Sequence, residues 1–205
     1  MDIENVLSQM TLEEKASLCS GYYYWHTKSI ERLNIPRIRM CDGPHGLRKQ
    51  TGPEDHLGIH ESLKSVCFPS ASALASSFNT EVMKELGECL GRECQAENVG
   101  MLLGPGVNMK RSPLCGRNFE YYSEDPYLAG KTAAAFVRGV QRWPVGTSVK
   151  HFAANTQEYR PLSGSSAMES NTPRESYLLA FAPVCKHAPP WADSCSCNRG
   201  NGVCA

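Results

Sequence analysis

Two side chains that can carry a positive charge, Lys150 and His151, lie next to each other near the end of a β-prone run at residues 147–152. More hydrogen-bonding groups follow closely: Asn155, Gln157, Glu158 and Arg160. Lysine donates, and histidine can both donate and accept, so such a series is typical of a site for a polar ligand. The alternative is a strand-end lysine in solvent beside a histidine whose hydrogen bonds are satisfied in the core.

Polar residues also follow the other predicted strands, in each case on the carboxyl side. They are Asp42, Asn108, the Lys150–His151 pair and Asn198. A (β/α) barrel builds its site from loops at the carboxyl ends of its strands, so this one-sided placement favours such a barrel. An open doubly wound sheet places ligands at the same ends, but no G-x-G-x-x-G segment follows the first strand. Nothing here therefore favours a dinucleotide.

Short apolar runs alternate with helix signals along the chain, which predicts an α/β fold with a parallel sheet. The predicted strands are 38–41, 69–75, 101–103, 147–152 and 191–197. Helices are predicted at 80–98, 126–142 and 173–188, with another near the N-terminus. Their signals are the caps Asn79 and Asp125, and capping boxes that begin at Thr11 and Thr172. Leu12 and Leu18 are available for an apolar face of the N-terminal helix.

The composition is that of an ordinary globular chain: 205 residues, 41% hydrophobic and 20% charged. The 21 Lys and Arg residues balance the 21 Asp and Glu residues, and no basic stripe points to a nucleic-acid partner. No apolar run is long enough to cross a membrane. The N-terminus lacks the basic start and apolar stretch of a secretory signal, so we expect a cytoplasmic protein.

The ten cysteines are interpreted as reduced, because the expected compartment is reducing. Six are spread singly and are predicted to be small buried residues: Cys19, Cys41, Cys67, Cys89, Cys94 and Cys115. Four others, Cys185, Cys195, Cys197 and Cys204, lie near the end. The Cys195-Ser196-Cys197 spacing is not the paired CxxC type that zinc sites use, so we expect neither a metal nor a cofactor. A zinc or thiol module remains an alternative that metal analysis would test.

Three segments closely resemble the N-terminal domain of glycoside hydrolase family 3, which contains the β-glucosidases and related exo-acting enzymes. The segments are CDGPHGLR (41–48), RSPLCGRNFEYYSEDPYLAG (111–130) and KHFAANTQE (150–158). SCSCNRGNG (194–202) is similar to the family's SYN-x-VNG segment. The resemblance implies a TIM-like barrel followed by a second α/β domain. It also implies retaining hydrolysis, in which one carboxylate attacks the anomeric carbon and a second acid protonates the leaving oxygen.

The resemblance also implies which residues bind the terminal sugar of a β-glucoside or oligosaccharide: Asp42, Arg48, Arg117, Lys150 and His151. A carboxylate can accept two O–H donors, and the planar arginine fork suits neighbouring hydroxyls. The family pattern further implies that the backbone bends at Lys150, because adjacent strand residues otherwise point to opposite faces. Structural roles are the alternatives: a turn for Asp42, an ion pair with Glu120 or Glu124 for Arg117. We interpret Asp125 as a helix cap.

The chain departs from the family pattern at several positions after about residue 142. Pro161 stands where the family has a sugar-binding arginine, although neighbouring Arg160 is a possible substitute. Cys197 stands where the family has a tyrosine, and Asp193 replaces an apolar strand residue. Burying Asp193 without a partner would cost about 1–7 kcal/mol or force its protonation.

The largest departure concerns the catalytic carboxyl groups. The family nucleophile lies in an SDW segment, which we expect beyond Ala205, and the acid/base in a following domain. We therefore expect residues 1–205 to be an incomplete barrel domain of about five strands, with the second domain absent and negligible turnover of its own. Open sheet edges make self-association possible. The sequence predicts a piece of a β-glucosidase; the alternative is a sugar-binding remnant without chemistry.

Overall fold

A sheet of four parallel strands lies at the centre of the structure, a computed structural model that describes residues 2–52, 59–160 and 163–204. The strands of the described chain are β1 (Gly21–Tyr23), β2 (His26–Thr27), β3 (Met40–Cys41), β4 (Met101–Leu102), β5 (Gly146–Phe152), β6 (Ser165–Ser166), β7 (Ala192–Cys195), β8 (Arg199–Gly200) and β9 (Val203–Cys204). Its α-helices are α1 (Ile3–Gln9), α2 (Leu12–Leu18), α3 (Ala71–Ala75), α4 (Thr80–Ala96), α5 (Pro126–Val140) and α6 (Ala182–His187). The central sheet has the order β3-β4-β5-β7.

The register of this sheet places the ends of β3, β4 and β5 side by side. Met101 in β4 lies opposite Met40 in β3 and Gly146 in β5. In β5, every residue from Gly146 to Lys150 is buried, as is typical of a strand covered on both faces. Parallel pairing therefore brings the segments that follow these strands to one edge of the sheet.

Helices α4 and α5 cover one side of the sheet and contribute most of the core. Both start where the sequence predicts, because Asn79 accepts hydrogen bonds from the first turn of α4 and Asp125 does the same for α5. Pro126 occupies the first turn of α5, where its missing N–H has no helical partner to lose. Fully buried residues of the core are Leu90, Leu102, Phe136, Val137, Val140 and Val149.

Two glycines let α4 and α5 approach closely. A Cβ atom added to Gly139 would lie 2.9 Å from Cα of Gly87 and far inside van der Waals distance of the Lys84 carbonyl oxygen. The obstacle is backbone in both cases, so a side chain at Gly139 can be accommodated only by moving the helices apart.

Replacing Gly139 by alanine should lower the free energy of unfolding by about 1–3 kcal/mol, the usual effect of overpacking. Urea unfolding at pH 7 measures it. Gly200→Ala is the matched control, because its added Cβ would meet only Cε of Met168 at 3.9 Å. Equal free energies of unfolding for the two variants would show that α4 and α5 can move apart without loss of stability.

The prediction of a strand at residues 69–75 is wrong. Ala71–Ala75 is the helix α3, capped by Ser70, whose hydroxyl accepts from Ala73 N. Its alanines favour a helix, and a short apolar run without clear periodicity does not distinguish a strand from a helix. The central sheet therefore has four strands within the described residues, and the other predicted strands correspond to β3, β4, β5 and β7.

The predicted helix 173–188 is also interrupted. Thr172 has an α-helical backbone and makes no capping hydrogen bond, so the capping box predicted there is wrong. Pro173–Tyr177 forms one turn of π-helix, and α6 begins only at Ala182. Pro183 lies in the first turn of α6, the part of a helix where proline is tolerated.

Near the N-terminus, the capping box of Thr11 and Glu14 is confirmed at the start of α2. The predicted apolar face is not buried, because Leu12 and Leu18 are 77% and 39% exposed. Asp193 is exposed on β7, so the cost of burying it does not arise. None of the described helices combines the length and apolar composition that spanning a bilayer requires.

The cysteine prediction is confirmed in part. Cys41, Cys94 and Cys115 are buried, whereas Cys19 and Cys67 are exposed and Cys89 is partly buried. Burial raises the pKa of the Cys41 thiol to about 11. The described cysteines near the end, Cys185, Cys195 and Cys197, are exposed and free.

Candidate functional site

Polar side chains that are far apart in sequence meet at the carboxyl edge of the central sheet. Asp42 directly follows β3, and Lys150 and His151 lie near the end of β5. Gly106, in the segment after β4, forms backbone bridges to Lys150 and to Tyr121. The loops after β3, β4 and β5 thus contribute to one place, as the sequence predicts.

Lys150 lies at the centre of a group of charges. Its Nζ atom is 2.9 Å from Oδ1 of Asp42 and 3.2 Å from Oε2 of Glu120. The side chains of Lys150 and Glu120 are buried, but that of Asp42 is 34% exposed. Burial, the largest single influence, would raise the pKa of the Asp42 carboxyl, but the charge of Lys150, hydrogen bonds from Lys150 and the Gly43 backbone, and the charge of Arg48 together hold this pKa below its ordinary value. Asp42 is therefore a charged acceptor at neutral pH.

Arg117 joins the same group from the turn Asn118–Glu120, which it precedes. Its Nε donates a hydrogen bond to Oε1 of Glu120 and lies 4.0 Å from Oε1 of Glu158. The ion pair with Glu120, an alternative role for Arg117 in the sequence, is thus present. The Arg117 side chain is still 31% exposed, so its guanidinium also reaches the surface of the site.

His151 is held by its backbone and by its ring. Asn108 accepts from the His151 N–H at 2.7 Å and donates to the His151 carbonyl oxygen at 3.0 Å. The ring Nδ1 is 3.0 Å from the Tyr121 hydroxyl. The peptide bonds Lys150–His151 and Phe152–Ala153 are cis. Ion pairs and hydrogen bonds place Lys150 and His151 in one network, although they are neighbours in a strand.

The ring of His151 is uncharged at neutral pH. Burial lowers its pKa to about 3, helped by repulsion from Arg117 and Lys150. A neutral imidazole has one donor and one acceptor nitrogen. Since Nδ1 pairs with Tyr121, the second nitrogen is the one that is suited to a ligand.

Asn155 and Glu158 complete the network behind Arg117 and His151. The Nδ2 atom of Asn155 donates to the Tyr121 hydroxyl at 3.1 Å and to Oε1 of Glu158 at 3.2 Å. Two members of the polar row after Lys150, Asn155 and Glu158, therefore contact Tyr121 and Arg117 and support the site from within.

Arg48 lies at the rim of the site. Its backbone N–H donates to the carbonyl oxygen of Asp42 at 3.0 Å, and the two residues form an antiparallel bridge. The Arg48 side chain is exposed, and its positive charge is the smallest of the named influences that lower the pKa of Asp42. Arg48 thus lies beside Asp42 through its backbone, and within the described chain its side chain makes no hydrogen bond to the other predicted residues.

Other candidate residues lie outside this network. Asp125 accepts from the N–H groups of Tyr127 and Leu128, which confirms its interpretation as a cap. Arg160 is exposed and lies over the ring of Tyr159, with 5.4 Å to the ring centroid. Pro161, where the family has an arginine, lies outside the described residues.

Sequence reasoning missed the positions that connect the site. Tyr121 was not recognised as a partner of His151, nor Asn155 as a partner of Tyr121. Glu120 was considered as a possible partner of Arg117 and as a carboxylate with a binding or support role implied by the family resemblance. Within the described chain, both ring nitrogens of His45 are buried without a hydrogen-bond partner, and burial lowers the pKa of this histidine. The available signal was the compact segment 116–122, in which charged and aromatic residues follow a glycine.

The parallel sheet, its helical cover and the charged loops at its carboxyl edge define part of a TIM-like (β/α)-barrel domain with a site for a polar ligand. The chain belongs to glycosyl hydrolase family 3: residues 16–177 match the glycosyl hydrolase family 3 N terminal domain. The family resemblance found in the sequence is therefore confirmed.

Two curated relatives and one solved structure illustrate the match. Thermostable beta-glucosidase B of Acetivibrio thermocellus is 54% identical over 202 residues, which cover 98% of this chain and 27% of the relative. The exo-alpha-(1->6)-L-arabinopyranosidase of Bifidobacterium longum is 48% identical, with 96% and 26% covered. The crystal structure of the Kluyveromyces marxianus beta-glucosidase in complex with glucose has a TM-score of 0.93 at 39% identity, with 99% and 24% covered. The chain thus spans about a quarter of the length of these proteins.

Proposed function

We propose that this chain binds the terminal non-reducing sugar of a β-glucoside as part of a retaining β-glucosidase. The observation that carries the proposal is the convergence of Asp42, Arg117, Lys150 and His151 on one network at the carboxyl edge of the sheet. The curated relative named as a β-glucosidase and the glucose complex of a similar structure support it.

The chemistry of the network suits a neutral ligand with several hydroxyl groups. Asp42 supplies a charged acceptor, and Lys150 and Arg117 supply charged donors. Neutral His151 supplies a donor or an acceptor. Opposite charges nearly balance within the cluster, so the site favours an uncharged sugar over an anion. Arg48, at the rim, is assigned the same binding role with an outer hydroxyl.

We assign no nucleophile and no acid/base to this chain. Retaining hydrolysis needs two carboxyl groups about 5 Å apart on either side of the glycosidic bond. Both oxygens of Glu120 are engaged by Arg117 and Lys150, and Asp42 is held by Lys150. The proposal for hydrolysis therefore concerns a whole enzyme, in which the residues of this network bind the sugar.

A related pyranoside is the second candidate substrate. The Bifidobacterium longum relative is named as an enzyme for α-L-arabinopyranosides and is 48% identical to this chain. Glucose and L-arabinose as two separate ligands distinguish these candidates, because L-arabinopyranose lacks the hydroxymethyl group. Tighter binding of L-arabinose would favour the second candidate.

Replacing Asp42 by alanine should weaken glucose binding about tenfold or more, because hydrogen bonds to a charged group contribute about 1.5–3 kcal/mol. Calorimetric titration of residues 1–205 with glucose measures the change. Glu124→Ala is the matched control, since Glu124 is an exposed carboxylate that is not part of the network. Unchanged affinity in Asp42→Ala rejects the assignment of Asp42. Absence of glucose binding by the unmodified chain rejects the proposed function.

Two further expectations stay predictions. One is a cytoplasmic location, which cell fractionation tests. The other is self-association through the edge strands β3 and β7, for which analytical ultracentrifugation is the measurement.

A further inference from the structure

Glu120 is the most buried carboxylate of the site and contacts both of its strong donors. The residue is 4% exposed, and it ends the turn Asn118–Glu120. Its Oε1 accepts from Arg117 Nε, while Oε2 lies 3.2 Å from Lys150 Nζ. These partners come from different parts of the chain, one from the turn itself and one from β5. Glu120 therefore ties two separate elements together by charge.

Counting donors shows what Glu120 leaves available. Lys150 has three N–H donors; one donates to Asp42 at 2.9 Å, and the ammonium group also forms an ion pair with Glu120 at 3.2 Å, so at least one N–H remains. Arg117 has five donors, and the one on Nε donates to Glu120. In the described parts of the chain, its two terminal amino groups have no hydrogen-bond partner. Free donors thus remain on both cations.

The two cations differ in exposure. The Glu120 and Lys150 side chains are almost equally buried, at 5% and 6% exposed, whereas that of Arg117 is 31% exposed. Glu120 therefore joins a buried cation to a cation that reaches the surface of the site. A carboxylate between two cations also reduces their mutual repulsion, which would otherwise drive the side chains apart.

Tyr121, the residue after Glu120, contacts the third predicted donor, His151, in a similar way. Tyr121 is fully buried, and its hydroxyl lies 3.0 Å from Nδ1 of His151. Gly106 allows the pair to dock, since a Cβ atom at Gly106 would be 2.9 Å from the Tyr121 ring and 3.0 Å from the Glu120 carbonyl oxygen. Two consecutive residues thus contact Lys150, Arg117 and His151. We call Glu120 and Tyr121 the positioning pair.

We propose that Glu120 is a positioning residue for sugar binding: it does not touch the sugar, but orients Arg117 and Lys150 so that their free N–H groups face its hydroxyls. This inference rests on the proposed function for the identity of the ligand. It assigns a role to a carboxylate whose position in the chain would otherwise make it a candidate for chemistry.

The test replaces Glu120 by glutamine, which keeps the shape and removes the charge. Glucose affinity of residues 1–205, measured by calorimetry, should fall about tenfold or more. Glu124→Gln, an exposed change in the same part of the chain, should bind glucose like the unmodified protein. In an Arg117→Met background, Glu120→Gln should reduce glucose affinity clearly less, because the contact between Glu120 and Arg117 is already absent. Equal losses with and without Arg117 would mean general destabilisation and would overturn the proposal.

A second measurement keeps the inference testable if Glu120→Gln does not fold. In the unmodified protein, the Arg117 Nε–H should give a resolved NMR signal that exchanges with water at least tenfold more slowly than free arginine. Exchange at the free rate overturns the role of Glu120. Slow exchange together with no heat on glucose addition supports the orientation by Glu120 and rejects the sugar, so the two proposals fail separately.

Discussion

Replacing Lys150 by methionine should lower the free energy of unfolding by about 3–5 kcal/mol at pH 7, the usual effect of removing one partner from a buried ion pair. The ammonium group lies 2.9 Å from Asp42 and 3.2 Å from Glu120. Without it, Asp42 loses a charge-assisted hydrogen bond and the buried Glu120 loses an ion pair, so two carboxylates remain near each other without the cation between them. Methionine preserves most of the apolar stem, so the loss reports the charge.

Urea unfolding of the variant and of the unmodified protein is the measurement. Lys15→Met serves as the control, because Lys15 is exposed on α2 and its loss should change stability by less than about 0.5 kcal/mol. A loss below about 1 kcal/mol for Lys150→Met would mean that solvent already screens the cluster. The charges would then be worth no more than a surface ion pair.

Acidification should destabilise the protein steadily between about pH 6.5 and about pH 3. The pKa of His151 is about 3 in the folded protein, and it is about 6.5 in an unfolded chain. In this window the unfolded state binds a proton that the folded state does not, so stability falls by about 1.4 kcal/mol per pH unit. The lowered pKa of His45 and of Asp42 acts in the same direction, with Asp42 contributing at the acidic end.

Unfolding free energies at pH 7, 6, 5 and 4 test this slope. His151→Gln should flatten it by about one proton, whereas His187→Gln, at an exposed position of α6, should leave it as it is. Parallel curves for the unmodified protein and His151→Gln would show that the ring takes up its proton in the folded state. The neutral ring required for the proposed hydrogen bonding would then be wrong.

The starts of helices α4 and α5 were predicted correctly because their capping residues are visible in the sequence. Asn79 and Asp125 cap α4 and α5 through their own side chains, and both caps are visible in the sequence. The segment 69–75 was misassigned because its apolar residues suit a buried strand and a helix equally, and the Ser70 cap decides between them. The capping box at Thr172 is absent because Thr172 itself has a helical backbone, whereas an N-cap residue has an extended one.

The contacts of the site were harder to predict than its residues. Family resemblance brought Asp42, Arg48, Arg117, Lys150 and His151 together, and the structure brings four of them into one network. The connections between them run through Glu120 and Tyr121, which pair with residues 30 positions away in sequence. No periodicity or cap encodes such a contact, because it depends on how the turn docks on the sheet.

The hydrogen bonds between the Asn108 side chain and the backbone of residue 151 have a consequence for substitutions at that position. The amide holds the main-chain N–H and C=O of that residue and leaves its imidazole to other partners. The main chain at position 151 thus keeps its two hydrogen bonds to Asn108 whichever side chain it carries. Substitutions at this position that keep Asn108 should therefore change the ring contacts while leaving these backbone bonds in place.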